Sequence, residues 1–171
     1  MSSTIFEIVK EVLPVIIICL VVISTLRITY FIKTKAKPNI ISETFALIFI
    51  AYIMCLFYVV TFQDIDASWS ASNFIPFQEM FRYEFGSRLF IKNVLGNMLM
   101  FIPFGFFSSY FLKEKKVLVI FVITVIVSLA IEFTQLKIGR VFDIDDILLN
   151  IVGGVIGYYL YRLFFKILSN F

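Results

Sequence analysis

Apolar residues fall in five long runs along the chain, at about 12–32, 44–62, 89–112, 117–136 and 144–164. A helix needs roughly 20 such residues to cross about 30 Å of hydrocarbon, at about 1.5 Å per residue. The pattern therefore predicts five transmembrane helices, the third interrupted by Pro103 and Gly105. Only Lys113 to Lys116 separate the third and fourth runs, and a similarly short turn separates the fourth and fifth. Links that short force neighbouring helices to lie antiparallel, side by side. The fold class is all-α, a multipass transmembrane helical bundle forming a single membrane domain over residues 1–171.

Within the last three runs, polar residues recur at helical spacing. Asn93, Gly96 and Asn97 open the third run, the two asparagines four residues apart. Ser128, Glu132 and Gln135 share one face of the fourth. The fifth begins Asp143-Ile144-Asp145-Asp146, and its stripe is Asp143, Asp146, Asn150 and then Gly153 or Gly154. An ionisable group inside a span costs about 2.5–3.5 kcal/mol on insertion scales, so each asks for a partner or a role. Polar groups on lipid-immersed helices turn inward. All three stripes lie at the same end of adjacent helices, so they are expected to converge on one polar pocket. Arg140, in the turn between the last two runs, is placed to cover it.

Each stripe also has a purely structural reading. Asp143 suits the N-cap of the fifth helix, and Asp146 complements the dipole in its first turn. Asn93 and Asn97 suit hydrogen bonds across helices, and Gly153 with Gly157 matches the Gly-x-x-x-Gly spacing of close packing. Pro103 and Gly105 suit a bend. Glu132 fits such a reading least: a carboxyl at that depth is paired with Arg140, protonated, or part of a site.

The long connection from Gln63 to Arg88 holds Trp69 and Asn73-Phe74-Ile75-Pro76-Phe77. Past Pro76, residues Phe77, Met80, Phe81 and Phe85 fall on one helical face, while Gln78, Glu79, Arg82 and Glu84 take the others. This predicts a short interfacial helix near 76–85 with Pro76 in its first turn.

Composition strengthens the membrane reading. Of 171 residues, 61% are hydrophobic and 16% charged, against about 45–50% and about 25% in ordinary globular chains. A chain this short cannot hide that much apolar surface from water, so membrane lipids must be the solvent for much of it. The net charge of +3, without a basic stripe, speaks against nucleic acid. The absence of histidine removes Ser-His-Asp and Cys-His catalysis and the commonest zinc ligand. Cys19 and Cys55 lie within apolar runs and read as small apolar fillers rather than a bridge. The first run is too long for a signal peptide, no Ala-x-Ala-like site follows, and Lys33, Lys35 and Lys37 come after it, as after a retained anchor. Nine of the 15 Lys and Arg residues gather at one set of helix ends and six at the other. By the positive-inside rule the N-terminus is expected outside and the C-terminus in the cytoplasm, with the polar stripes beneath the extracellular face.

The stripes also carry a resemblance. Asn93-x-x-Gly96-Asn97 followed by Phe101-Ile102-Pro103-Phe104-Gly105 resembles the first block of VanZ-like proteins. Glu132-x-x-Gln135, then Gly139-Arg140-x-x-Asp143-x-x-Asp146-x-x-x-Asn150-x-x-Gly153, resembles the second. Asn73-x-x-Pro76-Phe77 also fits, so the similarity covers about 73–161 and leaves the first two spans without a motif. The resemblance implies a multipass bacterial membrane protein acting on the cell envelope; the family's namesake is associated with low-level resistance to teicoplanin, a lipoglycopeptide.

The expected function is therefore an effect on envelope properties and lipoglycopeptide susceptibility through an outer-leaflet pocket. Glu132, Arg140, Asp143 and Asp146 form its charged wall and catalytic candidates; Asn93, Asn97, Gln135 and Asn150 form its hydrogen-bonding wall. Three mechanisms stay open: an intramembrane enzyme on a lipid-linked cell-wall intermediate, a binding or shielding module for a lipid tail or headgroup without chemistry, and a small cation- or proton-coupled transporter. The partners considered are membrane lipids, a lipid-linked envelope precursor and the lipoglycopeptide. No cofactor is predicted, although clustered carboxylates suit a divalent cation through oxygen ligands. Acids outnumber bases at the cluster, which favours a cation or an amine over a bare phosphate.

Overall fold

The computed structural model describes residues 2–62, 72–78, 80–113 and 115–168. Trp69, Glu79 and Glu114 lie outside the described residues. The chain divides into two compact units, Met1–Val59 and Val60–Phe171. Five helices are long and apolar enough to cross a membrane, and they coincide with the five apolar runs.

The first unit is a helical hairpin. Helix α1 spans Ser2–Thr34, beginning ten residues earlier than its apolar run, and α2 spans Ile40–Phe62. Lys35, in the left-handed region with φ of 54°, ends α1. Asn39 starts α2: its side-chain oxygen accepts from the backbone N–H of Ser42 at 3.2 Å. Arg27 forks onto the carboxylate of Glu43, with Nε donating to Oε2 at 2.9 Å and Nη2 to Oε1, so two charges inside apolar runs are matched across the turn. Cys19 and Cys55 are both free thiols.

The second unit holds three antiparallel helices. Helix α3 runs Arg88–Leu112, α4 Val117–Lys137 and α5 Ile144–Leu168. Helix α3 starts on Ser87, whose hydroxyl accepts from Phe90 N–H at 3.2 Å, and passes through a π-helical turn at Ile91–Leu95 before its regular part, Gly96–Leu112. Lys113 ends it in the left-handed region. At the far end of the unit, Tyr158 donates its hydroxyl to the Lys115 carbonyl at 2.6 Å, tying the α3–α4 link to α5.

Small residues let α3 and α5 approach until backbone meets backbone. A Cβ added to Gly153 would lie 2.1 Å from the Met98 carbonyl oxygen, and one on Gly157 2.1 Å from that of Ile102. Gly105 faces the Gly154 backbone in the same way, and Gly154 also meets the side chain of Thr124 on α4. Hydrocarbon supplies no hydrophobic drive between helices, so close van der Waals contact of this kind has to hold them. The Gly-x-x-x-Gly spacing of 153 and 157 is thus a packing seam, and Gly105 joins it rather than acting only as a hinge. The buried face of α4 consists of Ile120, Thr124, Ser128, Glu132 and Gln135, polar residues turned inward as a lipid-surrounded helix requires.

The connection after residue 71 differs from expectation. Among the described residues, 75–78 and 80–83 form bends and turns, without the short helix predicted near 76–85. Phe77 adopts φ of 68°, a left-handed conformation that interrupts helix propagation, and the N–H groups of Phe77 and Met80 are drawn to a carboxylate outside the segment. The apolar side chains still face outward, Phe81 at 85% and Phe85 at 88% exposure.

Adding one methyl separates the seam from neutral positions. Gly153→Ala and Gly157→Ala are expected to cost about 1–3 kcal/mol each, because a carbonyl oxygen of the opposing backbone cannot yield. Gly96→Ala, with nothing within 4 Å of the added carbon, should leave stability unchanged. Thermal unfolding of the purified chain in detergent measures all three.

Candidate functional site

The site is built where α4 ends and α5 begins. Helix α4 closes on Gly139, which takes φ of 86°. Arg140 N–H then donates back to the Gln135 carbonyl at 3.0 Å, and Gly139 N–H to that of Leu136 at 3.2 Å. This Schellman closure needs a residue at ease with positive φ, and it folds Arg140 back over the helix end. With its amide oriented to satisfy both neighbours, Gln135 accepts from Arg140 Nη1 at 3.0 Å and donates to Glu132 Oε1 at 3.0 Å. Glu132, 1% exposed, receives its second bond from the backbone N–H of Asp143, at 2.9 Å to Oε2.

Asp143 precedes the first residue of α5 and caps it. Its Oδ1 accepts from Asp145 N–H at 2.9 Å and also from Asn73 Nδ2 at 2.9 Å. Asn73 is buried and fully engaged: its backbone forms a parallel bridge beside Asp143, with Asn73 N–H donating to the Phe142 carbonyl at 2.8 Å and Ile144 N–H to the Asn73 carbonyl at 3.1 Å. Phe74 stacks on Phe142, centroids 5.3 Å apart. Asp145, 1% exposed, accepts from Phe77 N–H at 2.5 Å and Met80 N–H at 3.1 Å. The connecting segment is therefore laid over the α4–α5 turn by two adjacent carboxylates.

Deeper in the unit, Asn97 Nδ2 donates to Asp146 Oδ1, joining α3 to α5. Asn150 Nδ2 donates to Ser128 Oγ at 2.8 Å, joining α5 to α4 one turn further down. Asp146 lies within electrostatic reach of Glu132, Asp143, Asp145 and Arg140. Six of the eight residues named from the sequence, Glu132, Gln135, Arg140, Asp143, Asp146 and, through Asp146, Asn97, thus meet in one cluster, and Asn150 pairs with Ser128 one turn below it. Asn93 does not join its hydrogen bonds. It sits half-buried in the π-helical turn, whose wider register breaks the i, i+4 alignment with Asn97 that a regular helix would give.

Asp145 was not among the expected site residues. It falls off the stripe of Asp143, Asp146 and Asn150 and counts in the sequence only as one of the acids that outnumber the bases there; the signal that could have found it is Asn73-x-x-Pro76-Phe77, a segment whose backbone N–H groups need an acceptor. Among the described residues no group of three His, Cys, Asp or Glu side chains is arranged to hold a metal ion. What the arrangement offers is acidity: Glu132, Asp143, Asp145 and Asp146 against Arg140 and, beside Asp143, Arg82.

Burial, the largest influence on the Asp143 carboxyl, raises its pKa above the ordinary aspartate value, and the charge of Asp145 adds to that. The bonds from Asp145 N–H and Asn73, and the charge of Arg82, act in the opposite direction without reversing the shift.

Comparison with known proteins places these residues in context. A family model described as VanZ/LLP1 matches residues 49–165. Protein VanZ of Enterococcus faecium is 36% identical over 74 residues, which cover 42% of this chain and 45% of that protein. The chain therefore aligns with less than half the length of that curated relative. No solved structure matches the chain.

The capping role of Asp143 makes a pH-dependent prediction. A carboxyl whose folded pKa is raised contributes stability that is complete below its unfolded value, near 3.9, and lost as pH rises through the folded value. Asp143→Asn keeps the accepting oxygen but removes the ionisation, so its thermal stability relative to wild type should improve as pH rises from about 4 to about 8. Asp143→Ala loses the cap and the Asn73 contact and should cost about 1 kcal/mol or more across that range. Melting in detergent at a series of pH values checks both.

Proposed function

The chain belongs to the VanZ/LLP1 family, and from that premise we propose that it is a multipass envelope protein that lowers susceptibility to lipoglycopeptides of the teicoplanin type through the polar cluster of α3, α4 and α5. One observation carries this reading: Glu132, 1% exposed inside a transmembrane helix, is held by hydrogen bonds on both carboxylate oxygens, within electrostatic reach of Asp143 and Arg140. The glycine seam is enough to pack these helices. Asp143 and Asp145 have structural work at the start of α5; Glu132 and Asp146, inside the spans, are the carboxyls that packing does not require, and each is costly to bring out of water.

In this reading the N-terminus is outside and the C-terminus cytoplasmic, which puts the cluster beneath the extracellular face; the nine-to-six division of basic residues supports it. The ligand is then an amphiphile reached from the outer leaflet, a lipid-linked envelope precursor or the lipoglycopeptide. A second reading, an intramembrane enzyme on such a precursor, is favoured by the unequal surroundings of neighbouring carboxyls. Glu132 has both oxygens engaged, whereas Asp146 has a single hydrogen bond, from Asn97. Carboxyls held in different environments suit general acid and base roles.

The test is growth of a teicoplanin-susceptible host expressing the chain. Glu132→Gln and Asp146→Asn are each expected to abolish any gain in tolerance while membrane levels stay at wild type, and Gly96→Ala to retain it. Full tolerance in either carboxylate variant overturns the proposal. Conversion of a lipid-linked precursor by the purified protein, lost in the same variants, selects the enzymatic reading.

A further inference from the structure

Two acceptors in the cluster have no donor. Asn150 is 4% exposed; its Nδ2 is used by Ser128, while its Oδ1 is buried with no hydrogen-bond partner. Asp146 receives one bond, from Asn97 to Oδ1, and among the described residues its second oxygen receives none. The two residues are four apart on the same face of α5, Asn150 one turn deeper. Side chains on a helix lean toward its N-terminus, which sets the Asn150 amide on the Asp146 side of its own turn. A buried carbonyl without a donor is rare in a folded chain and calls for a partner from outside it, a water or a ligand.

The chemistry of the missing partner follows from what is unsatisfied. Both open atoms are acceptors, and the surrounding charge is an excess of acid over Arg140 and Arg82. We propose that the site takes a protonated primary amine, seated between the Asp146 carboxylate and Asn150 Oδ1 with Glu132 as the second acid in reach. An ammonium group brings positive charge and three N–H donors on a compact head and has no acceptor to be left unpaired. The inference rests on the cluster being a ligand site, as proposed above, and specifies the head group that it recognises. An amine-bearing lipid headgroup and a free amine share this chemistry.

The experiment uses the full chain in phosphatidylcholine nanodiscs and follows thermal unfolding in ethylammonium, tetramethylammonium or sodium chloride at equal ionic strength. A parallel arm replaces part of the phosphatidylcholine with phosphatidylethanolamine. Ethylammonium is expected to stabilise where tetramethylammonium, which has no N–H donor, and sodium do not. Asp146→Asn should raise the half-saturating amine concentration about tenfold or more, and Asn150→Leu should remove the effect. Should Asn150→Leu not fold, Asn150→Asp keeps the shape, adds a charge and should lower that concentration.

A stabilisation by phosphatidylethanolamine that disappears in Asp146→Asn, without a response to ethylammonium, supports the inference with a lipid headgroup as the source. A response to ethylammonium alone supports it with a free amine. Equal stability in all three salts and in both lipids overturns it, as does stabilisation by sodium equal to that by ethylammonium. Loss of tolerance in Glu132→Gln and Asp146→Asn without any amine response removes this inference and leaves the proposed function standing. An amine response with tolerance intact in both variants does the reverse.

Discussion

The backbone N–H of Asp143 donates to the carboxylate of Glu132, and around that one bond the functional end of the molecule is organised. The first N–H groups of any helix lack intrahelical acceptors, and in a membrane-embedded protein water is a poor substitute near the hydrocarbon. Glu132 supplies an acceptor from the preceding helix, at the end of α5 where the helix dipole favours negative charge. The bond requires α4 to stop and the chain to turn back within a few residues. Gly139 makes that turn, and Arg140 is carried over the cluster as a result.

The glycine seam sets how closely the remaining partners can come. With backbone against backbone between α3 and α5, Asn97 is near enough to donate to Asp146, and Asn150 reaches Ser128 on α4. Packing and polar pairing here are two consequences of the same approach. A bulkier residue at Gly153 or Gly157 would separate the helices and lengthen those hydrogen bonds as well.

The segment carrying Asn73 to Met80 completes the site by a different means. Among the described residues it holds no regular element, and the start of α5 and the residue pair before it satisfy backbone groups of Asn73, through the bridge beside Asp143, and of Phe77 and Met80, through Asp145. Three acids within four residues at the start of α5 thus divide their work. Asp143 caps the helix and holds Asn73, Asp145 holds the turns above, and Asp146 turns into the cluster toward Asn97.

Sequence alone determined the five spans, because a run of about 20 apolar residues has one stable use; that α3 packs chiefly on α5 rather than on α4, to which its short link ties it, was decided by the glycine seam. Sequence determined too that Asn97, Glu132, Gln135, Asp146 and Asn150 turn inward, since helical period and the cost of polar groups in lipid leave no other face for them. Tertiary structure decided what lies between residues far apart in the chain. The service of Asp145 to Phe77 and Met80 spans 68 and 65 residues, and no local period records such a partner. The left-handed Phe77 and the π-helical turn that sets Asn93 apart are backbone departures accepted for distant contacts. The unmatched Oδ1 of Asn150 appears only when every neighbour is in place, because an acceptor is left over only once all the available donors have been assigned.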